Sequence, residues 1–181
     1  MLTWELVDGV ELRPLEPWQD EAFAAHVAAE RAHLSPWLPW ATTIVDAPTA
    51  RELLATYADR SARDEGRLYG IWRGEAMAGG TLFRVWEKRT GVCEIGVWLA
   101  ESEQGNGIVT RAVRRMIDYA LRERGMHRVE WRCSPDNERS AAVAKRLGFT
   151  LDGVLREVFP VGGRRQDAQV WSLLAREWSG R

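Results

Sequence analysis

The sequence predicts a single α/β domain over residues 1–181, built on a mixed, mostly antiparallel sheet of about six to seven strands with about four flanking helices. A chain of 181 residues fits one domain with a sizeable core, and its hydrophobic share of 45% is ordinary for a globular protein. Segments with the two-residue period of strands alternate with segments that have the helical period. The sequence contains no internal repeat and no low-complexity linker that would divide it.

The N-terminal third predicts one strand followed by two helices. Residues 11–15 alternate in character as a strand does, and residues 18–31 have apolar side chains at helical spacing. Two prolines within residues 36–40 stop this helix and stiffen an aromatic loop. A second helix is predicted from a cap at Thr49 to a stop at Gly66.

The middle of the chain predicts three antiparallel strands and the most regular helix. Residues 68–72 and 76–85 form the second and third strands, and residues 90–99 form a fourth strand rich in β-formers. Over residues 109–121 apolar side chains recur at helical spacing without interruption, and Gly125 closes the helix.

The C-terminal third predicts a strand, a helix and a closing hairpin. Residues 128–133 form the fifth strand, and residues 137–147 form a helix. Residues 151–159 and 166–174 form the last two strands, which are joined at a turn that contains Gly162.

Charge and cysteine content exclude several classes of function. A net charge of -1 and a pI near 6.3 provide no basic surface for nucleic acid or an anionic membrane. Cys93 and Cys133 lie in apolar stretches outside any metal-binding pattern, so we expect reduced core thiols, no metal and a cytoplasmic location. Residues 1–10 lack the apolar segment of a signal peptide, and no apolar run has the length of a membrane span.

One loop has the composition of an anion-binding site. It lies between the fourth strand and the most regular helix, and it consists of Gln104, Gly105, Asn106, Gly107, Ile108, Val109 and Thr110. A helix N-terminus offers unpaired N–H groups and partial positive charge, and glycines let the backbone approach an anion closely. The loop lacks the third glycine of a dinucleotide fingerprint and the lysine of a P-loop.

This loop resembles motif A of the GNAT N-acetyltransferases, Q/R-x-x-G-x-G/A. Gln104 and Gly107 match the motif, whereas Val109 departs from its final Gly/Ala. Further motifs resemble the same family, and two of them resemble its RimJ/RimL branch, which acetylates the N-termini of ribosomal proteins. The family-wide matches are residues 94–99 and residues 137–140 with 145–149, and the branch matches are residues 36–40 and 167–178.

The resemblance implies an acetyl-CoA-dependent N-acetyltransferase that transfers the acetyl group directly to a primary amine in a ternary complex. In this family the fourth and fifth strands splay apart, and the pantetheine arm pairs with fourth-strand backbone. The matching residues here are Val97, Trp98 and Leu99. Asn137 is a further pantetheine contact, and a role in capping the following helix is equally open. The N–H groups of residues 105–109 would hold the pyrophosphate, with Gln104 and the Thr110 hydroxyl as additional donors.

The resemblance also suggests which residues handle protons. Many relatives protonate the leaving thiolate with a tyrosine, but Ala144 occupies that position, so Ser140 is the expected acid. Glu94 is the expected base, acting through water. Local hydrogen bonding of Ser140 and a paired Glu94 are equally open interpretations. The hairpin glutamate of the ribosomal branch corresponds to Phe159 here, with Glu157 nearby on the same predicted strand face.

The acceptor is the least defined part of the prediction. Trp37 and Trp40 are expected in the acceptor wall, unless they pack against the sheet instead. The absence of an evident strong base favours a peptide N-terminal α-amine over a lysine or a small-molecule amine. A non-catalytic acyl-CoA-binding module is the alternative from another class. The acyl group could be larger than acetyl, and because relatives are often dimers, a homodimer stays open.

Overall fold

The chain folds around one mixed sheet of eight strands, seen in a computed structural model that describes residues 3–180. In chain order the strands are β1 (Trp4–Val7), β2 (Val10–Pro14), β3 (Arg67–Arg73), β4 (Ala76–Glu87), β5 (Val92–Leu99), β6 (Arg128–Cys133), β7 (Thr150–Val161) and β8 (Arg164–Leu174). Their order across the sheet is β1-β2-β3-β4-β5-β6-β8-β7, and only β5 and β6 pair in parallel.

Five α-helices flank the sheet within the described residues. They are α1 (Asp20–Leu34), α2 (Trp40–Thr43), α3 (Ala47–Ala62), α4 (Ile108–Asp118) and α5 (Glu138–Arg146). A π-helical turn, Tyr119–Glu123, continues α4. None of these helices is long and apolar enough to cross a membrane.

Side chains of the central strand β5 alternate between two hydrophobic clusters. Ile95 and Leu99 pack into the larger cluster with α4 residues such as Met116. Trp98 packs into the second cluster with Phe23 from α1 and Leu54 from α3. The helix pairs α1–α3 and α4–α5 therefore cover opposite faces of the sheet, as the strand periodicity requires.

The sequence prediction differs from the structure at the N-terminus. β1 was not predicted; it is a four-residue edge strand that turns at Gly9, where φ is +70°, and no residue of it is fully buried. The N-cap of α3 is Asp46 and not Thr49, because the Asp46 carboxylate accepts from Thr49 N at 2.9 Å. The helix ends at Ala62 instead of at Gly66, and the aromatic loop of residues 36–40 leads into the short α2.

The predicted splay is confirmed at the boundary between β5 and β6, the fourth and fifth strands of the sequence prediction. Their parallel register ends at the pair Ile95–Trp131. From there β5 continues along β4 as far as the pair Gly79–Leu99, while β6 remains paired with β8. A wedge-shaped gap therefore opens at the carboxyl ends of the two strands.

A buried histidine connects α1 to β4 and to β5, the strand that borders this gap. His26 is 6% exposed, and its Nδ1 lies 3.1 Å from the Met77 carbonyl, to which only a protonated nitrogen can donate. Its Nε2 consequently accepts from the Trp98 indole N–H at 3.2 Å. The hydrogen bond from Trp98 requires the neutral imidazole, because a protonated Nε2 cannot accept. Burial lowers the pKa of His26 more than the Met77 carbonyl and nearby Glu30 raise it.

The unfolding free energy should therefore fall in acid because of His26. In the unfolded chain the imidazole titrates near 6.5, but in the folded chain it resists protonation, so stability is full above about pH 6.5. Below that value it should decline by up to about 1.4 kcal/mol per pH unit until the folded pKa is reached. Urea unfolding of His26→Gln should lack this decline, and the exposed His127→Gln should retain it. An identical pH slope in His26→Gln and wild type would contradict the assignment.

Candidate active site

Backbone groups along β5 face β4 and β6 in alternation. The Ala100 N–H donates to a β4-side carbonyl at 2.7 Å, whereas the Gly91 carbonyl accepts from two amides at the start of β6. Even-numbered residues of β5 therefore direct their N–H and C=O groups at β4, and odd-numbered residues direct theirs at β6. Beyond the last β5–β6 pair, Val97 and Leu99 thus present backbone donors and acceptors to the gap.

Trp98 departs from the role predicted for its backbone. By the same alternation its N–H and C=O point at β4, where it pairs with Gly80. Its side chain is 5% exposed and packs against Phe23 and Trp40, with ring centroids 6.0 and 5.1 Å away. Two of the three predicted strand residues, Val97 and Leu99, have the geometry to pair with an extended ligand.

The loop after β5 forms an open cradle at the N-terminus of α4. Gly105 and Gly107 have φ values of +82° and +72°, which are accessible to glycine at little cost. Gly107 is the N-cap of α4, and no side chain caps the helix. The N–H groups of the first helical turn therefore remain available to an anion. Residues 105–107 are exposed, whereas Ile108 is buried and anchors the helix.

Gln104 connects both sides of this cradle. Its side-chain amide donates to His33 Nε2 at 2.9 Å, at the end of α1. Its side-chain oxygen accepts from Arg139 Nη1 at 2.5 Å, in the first turn of α5. The loop, α1 and α5 thus meet at one residue, and His33 serves as a partner of Gln104.

The first turn of α5 places Ser140 beside the gap. Asn137 caps the helix, with its Oδ1 accepting from Ser140 N at 3.0 Å; among the described residues only this oxygen of the side chain is engaged, so its NH₂ group can donate to a ligand. The Trp131 indole N–H donates to Ser140 Oγ at 3.0 Å. An indole nitrogen only donates, so the Ser140 proton must point to another acceptor.

Glu94 is buried and fully paired. Its carboxylate is 5% exposed and receives a two-pronged contact from Arg84, with Nε to Oε1 at 2.5 Å, and Arg132 Nε lies 3.4 Å from Oε2. Guanidinium contacts of this kind stabilise the ionised form and occupy the oxygens that a base would use. The geometry therefore favours the paired-carboxylate interpretation of Glu94 over its use as a free base.

A cavity of about 410 Å³ lies between the loop after α1 and the β7–β8 hairpin. It is lined by Ser35, Pro36, Pro39, Thr42, Pro160, Val161, Gly162 and Gln166. The contact between His33 and Gln104 brings the end of α1 to the same end of the sheet as the gap. The cavity and the gap therefore lie toward the same end of the sheet.

The two tryptophans predicted for the acceptor wall are not among the cavity-lining residues. Trp40 is partly buried and packs against Phe23 and Trp98, as the alternative interpretation held, and Trp37 is half-buried. Pro36 and Pro39, which flank Trp37, form the wall itself. A contact of either tryptophan with an acceptor stays a prediction.

The hairpin does not have the regular strand face that was assumed for Glu157 and Phe159. The β7–β8 register shifts between Leu155 and Phe159, and Glu157 adopts a φ of +51°. Because a bulge re-aims side chains, a separation of two residues does not guarantee a common face here. Both side chains are exposed.

Neither cysteine has the properties of a nucleophile. Cys93 and Cys133 are buried, and burial raises the pKa of both thiols, which keeps them protonated. Over residues 3–180, no group of three His, Cys, Asp or Glu side chains is arranged to hold a metal ion.

Comparison with known proteins identifies the family. The family model described as an acetyltransferase (GNAT) domain matches residues 10–150. The putative ribosomal N-acetyltransferase YdaF of Bacillus subtilis is 32% identical over 185 residues, which cover 99% of each chain. The chain belongs to the GNAT acetyltransferase family. It is accordingly an enzyme of the acyltransferase type, as the motifs implied.

Other relatives of this GNAT enzyme act on ribosomal proteins. The ribosomal-protein-serine acetyltransferase of Escherichia coli is 29% identical and covers 62% of this chain and 63% of its own. A solved RimL ribosomal-protein α-N-acetyltransferase in complex with coenzyme A has a TM-score of 0.90 and 25% identity, and the match covers 96% of this chain and 98% of that one. The family and this neighbour support acetyl-CoA as the acyl donor.

The residues present fit this donor. The cradle at Gly105 and Gly107 is exposed, and no side chain caps the N-terminus of α4 behind it. The helix dipole places partial positive charge at this N-terminus, which suits a pyrophosphate. A side chain on Gly107 would start 2.8 Å from Arg111 Nη1, so added bulk would fill the cradle. The unpaired edge at Val97 and Leu99 suits the extended amide-bearing arm of pantetheine.

Substitution of Gly107 by Glu should abolish acetyl-CoA binding in a folded protein. The carboxylate would enter the cradle and repel the pyrophosphate, a like-charge contact that costs several kcal/mol, or a loss of affinity of at least about 100-fold. Gly9→Glu is the matched control, because Gly9 also has a positive φ of +70° but lies in the β1–β2 turn. Calorimetry on both variants measures the effect; unchanged affinity in folded Gly107→Glu would remove the loop from the binding site.

Proposed function

We propose that this enzyme transfers the acetyl group of acetyl-CoA to the N-terminal α-amine of a protein or peptide by direct transfer. The observation that carries the proposal is the continuity of three features. The unpaired edge at Val97 and Leu99 leads to the cradle at residues 105–107, and Ser140 lies across the gap. The relatives that act on ribosomal proteins support the acceptor class.

The protein side of donor binding divides into three tasks. Val97 and Leu99 would pair with the pantetheine amides, and the Asn137 side-chain NH₂ would add a hydrogen bond from the opposite side. The N–H groups of residues 105–109 would hold the pyrophosphate, with the Thr110 hydroxyl nearby. Gln104 would keep the two walls of the groove in register through His33 and Arg139. Such fixed positioning removes much of the entropy cost of bringing two substrates together.

In the transfer step the amine nitrogen forms a bond to the acyl carbon while the carbon–sulfur bond breaks. Ser140 would donate its proton to the departing thiolate, since Trp131 already donates to the Ser140 oxygen and so leaves its O–H to act as donor. The amine proton would pass to water, and the Ser140 oxygen would take a proton back from that water, so that the serine hydroxyl is restored. Both oxygens of Glu94 accept from Arg84, so Glu94 would not take the amine proton itself.

The scarcity of bases supports the choice of acceptor. Among the described residues near the gap, Glu94 is ion-paired, His26 uses both ring nitrogens, and His33 contacts Gln104. An enzyme without a free base suits an amine that is already partly neutral at the pH of the cell. A small-molecule amine or a lysine is the alternative acceptor. The reduced cysteines fit action in the cytoplasm, and a homodimer stays compatible with these contacts.

Substitution of Ser140 by Ala should lower kcat by about 100- to 1000-fold, in the lower part of the range for a general acid. KM for acetyl-CoA should change little, because the backbone cap by Asn137 does not need the hydroxyl. The lost acceptor of the Trp131 N–H should also destabilise the fold by about 1–3 kcal/mol, which thermal unfolding measures separately. Ser172→Ala is the control and should keep kcat, because it removes a buried serine hydroxyl that donates to Asp152 Oδ1 at 3.0 Å and does not contact Ser140. A kcat within twofold of wild type in Ser140→Ala would show that water protonates the thiolate.

Peptides with free N-termini should be acetylated faster than matched peptides whose only amine is a lysine. An α-amine has a pKa of about 7.7–8.0 and a lysine about 10.4, so deprotonation at pH 7 costs about 1 and about 5 kcal/mol respectively. The rate ratio should shrink as the pH rises toward 9. A thiol-release assay with acetyl-CoA measures both rates. Preference for lysine at pH 7 would contradict the proposed acceptor, and an absence of thiol release with every amine tested would favour the non-catalytic acyl-CoA-binding module.

A further inference from the structure

Ser140 lies against two side chains of β6, Trp131 and Cys133. These two residues are separated by one position on the strand, so their side chains leave it on the same face. Both pack into the larger hydrophobic cluster with Ala141 and Ala144 of α5, the helix that carries Ser140 in its first turn. Trp131 donates to Ser140 Oγ at 3.0 Å, and the Cys133 thiol forms a hydrogen bond with the same hydroxyl. The Ser140 hydroxyl therefore has two partners on β6, and the indole is one that only donates.

The direction of each hydrogen bond around Cys133 follows from Trp171 on β8. Its indole N–H lies 3.1 Å from Gln169 Oε1, and because an indole nitrogen only donates, this atom of the amide must be the oxygen. The Cys133 sulfur lies 3.7 Å from the same oxygen, which only accepts, so the thiol S–H is the donor there. The contact with Ser140 then uses a lone pair of the sulfur. The Ser140 O–H consequently donates to Cys133.

The pKa of the thiol agrees with this direction. Burial raises the pKa of Cys133, and hydrogen bonds from Ser140 and Trp171 oppose the rise. A hydroxyl lowers the pKa of a thiol when it donates to the sulfur, since donation stabilises the thiolate form.

Sulfur is an unusual resting partner for the proton of a general acid. A serine in the first turn of a helix has backbone carbonyls within reach, and these bind a hydroxyl more strongly than a neutral thiol does. A departing thiolate is charged, so it attracts an O–H more strongly than the neutral Cys133 sulfur. The Ser140 proton can therefore turn from Cys133 to the thiolate at little cost, while the Trp131 N–H keeps the serine oxygen in place.

We propose that Cys133 is a positioning residue for the general acid, whose sulfur holds the Ser140 proton in a weak hydrogen bond until the thiolate of coenzyme A departs. The proposal rests on the proposed function, since it assumes that Ser140 protonates this thiolate. It adds that the acid depends on a buried relay in which Gln169 orients the thiol and the thiol orients the hydroxyl. Cys133 gives no proton to the thiolate and forms no bond with it, so it stays a thiol throughout.

A double-mutant cycle between Cys133 and Ser140 tests the proposal, with kcat and KM for acetyl-CoA as the readouts. Cys133→Ala should lower kcat by about three- to tenfold, the value of one hydrogen bond, and leave KM unchanged. In a Ser140→Ala background the same substitution should lower kcat by less than about twofold, because no hydroxyl remains to be positioned. Cys133→Ser should restore kcat to within about twofold of wild type, since its hydroxyl both accepts and donates.

Cys93→Ala is the matched control and should keep kcat. Cys93 is a buried thiol of the same hydrophobic cluster, but it lies on β5, where burial and the carboxylates of Glu130 and Glu94 raise its pKa. Thermal unfolding of each variant verifies that kcat is measured on folded enzyme.

Three results would overturn the positioning role. They are an equal fall of kcat in both backgrounds, which would assign Cys133 to packing alone, a kcat in Cys133→Ala that matches Cys93→Ala, and a Cys133→Ser variant as slow as Cys133→Ala. A wild-type kcat in Ser140→Ala would instead overturn the acid of the proposed function, and the proposal with it.

Discussion

The site depends on the point at which β5 and β6 stop pairing. Up to Ile95–Trp131 the two strands satisfy each other, and beyond that pair the backbone groups of Val97 and Leu99 have no strand opposite them. Unpaired backbone donors next to a core are costly unless water or a ligand satisfies them. The fold therefore leaves this strand edge to water or to an extended, amide-bearing partner such as the proposed pantetheine arm.

Neighbouring contacts keep β5 from closing this gap. A side chain on Gly79 would start 2.3 Å from the Trp98 carbonyl, and one on Gly80 would start 2.3 Å from the Trp98 ring, so these glycines let β4 lie tightly against β5. Trp98 is in turn held by the His26 hydrogen bond and by Trp40. The second core cluster thus fixes β5 to β4 and α1, while β8 holds β6 to the other side.

Local signals made most of this arrangement predictable. The regular apolar spacing of α4 and the glycines before it identified the cradle, because both are properties of a few adjacent residues. The motif match added the splay. The pairing of Glu94 with Arg84 and the burial of Trp40 were not decided by the sequence, since both depend on residues distant along the chain. β1 was not predicted because this edge strand buries few apolar side chains, so its sequence shows little alternation of apolar and polar residues.

The central claim is that the donor completes the sheet at β5, and amide hydrogen exchange measures this residue by residue. On saturation with acetyl-CoA the account predicts slower exchange at Val97 and Leu99 and at the amides of residues 105–109. The Trp98 amide, which faces β4 in both states, should change much less. Protection of the residue 105–109 amides without any at Val97 and Leu99, or equal protection along all of residues 96–99, would contradict the claim that alternate backbone groups of β5 bind the donor.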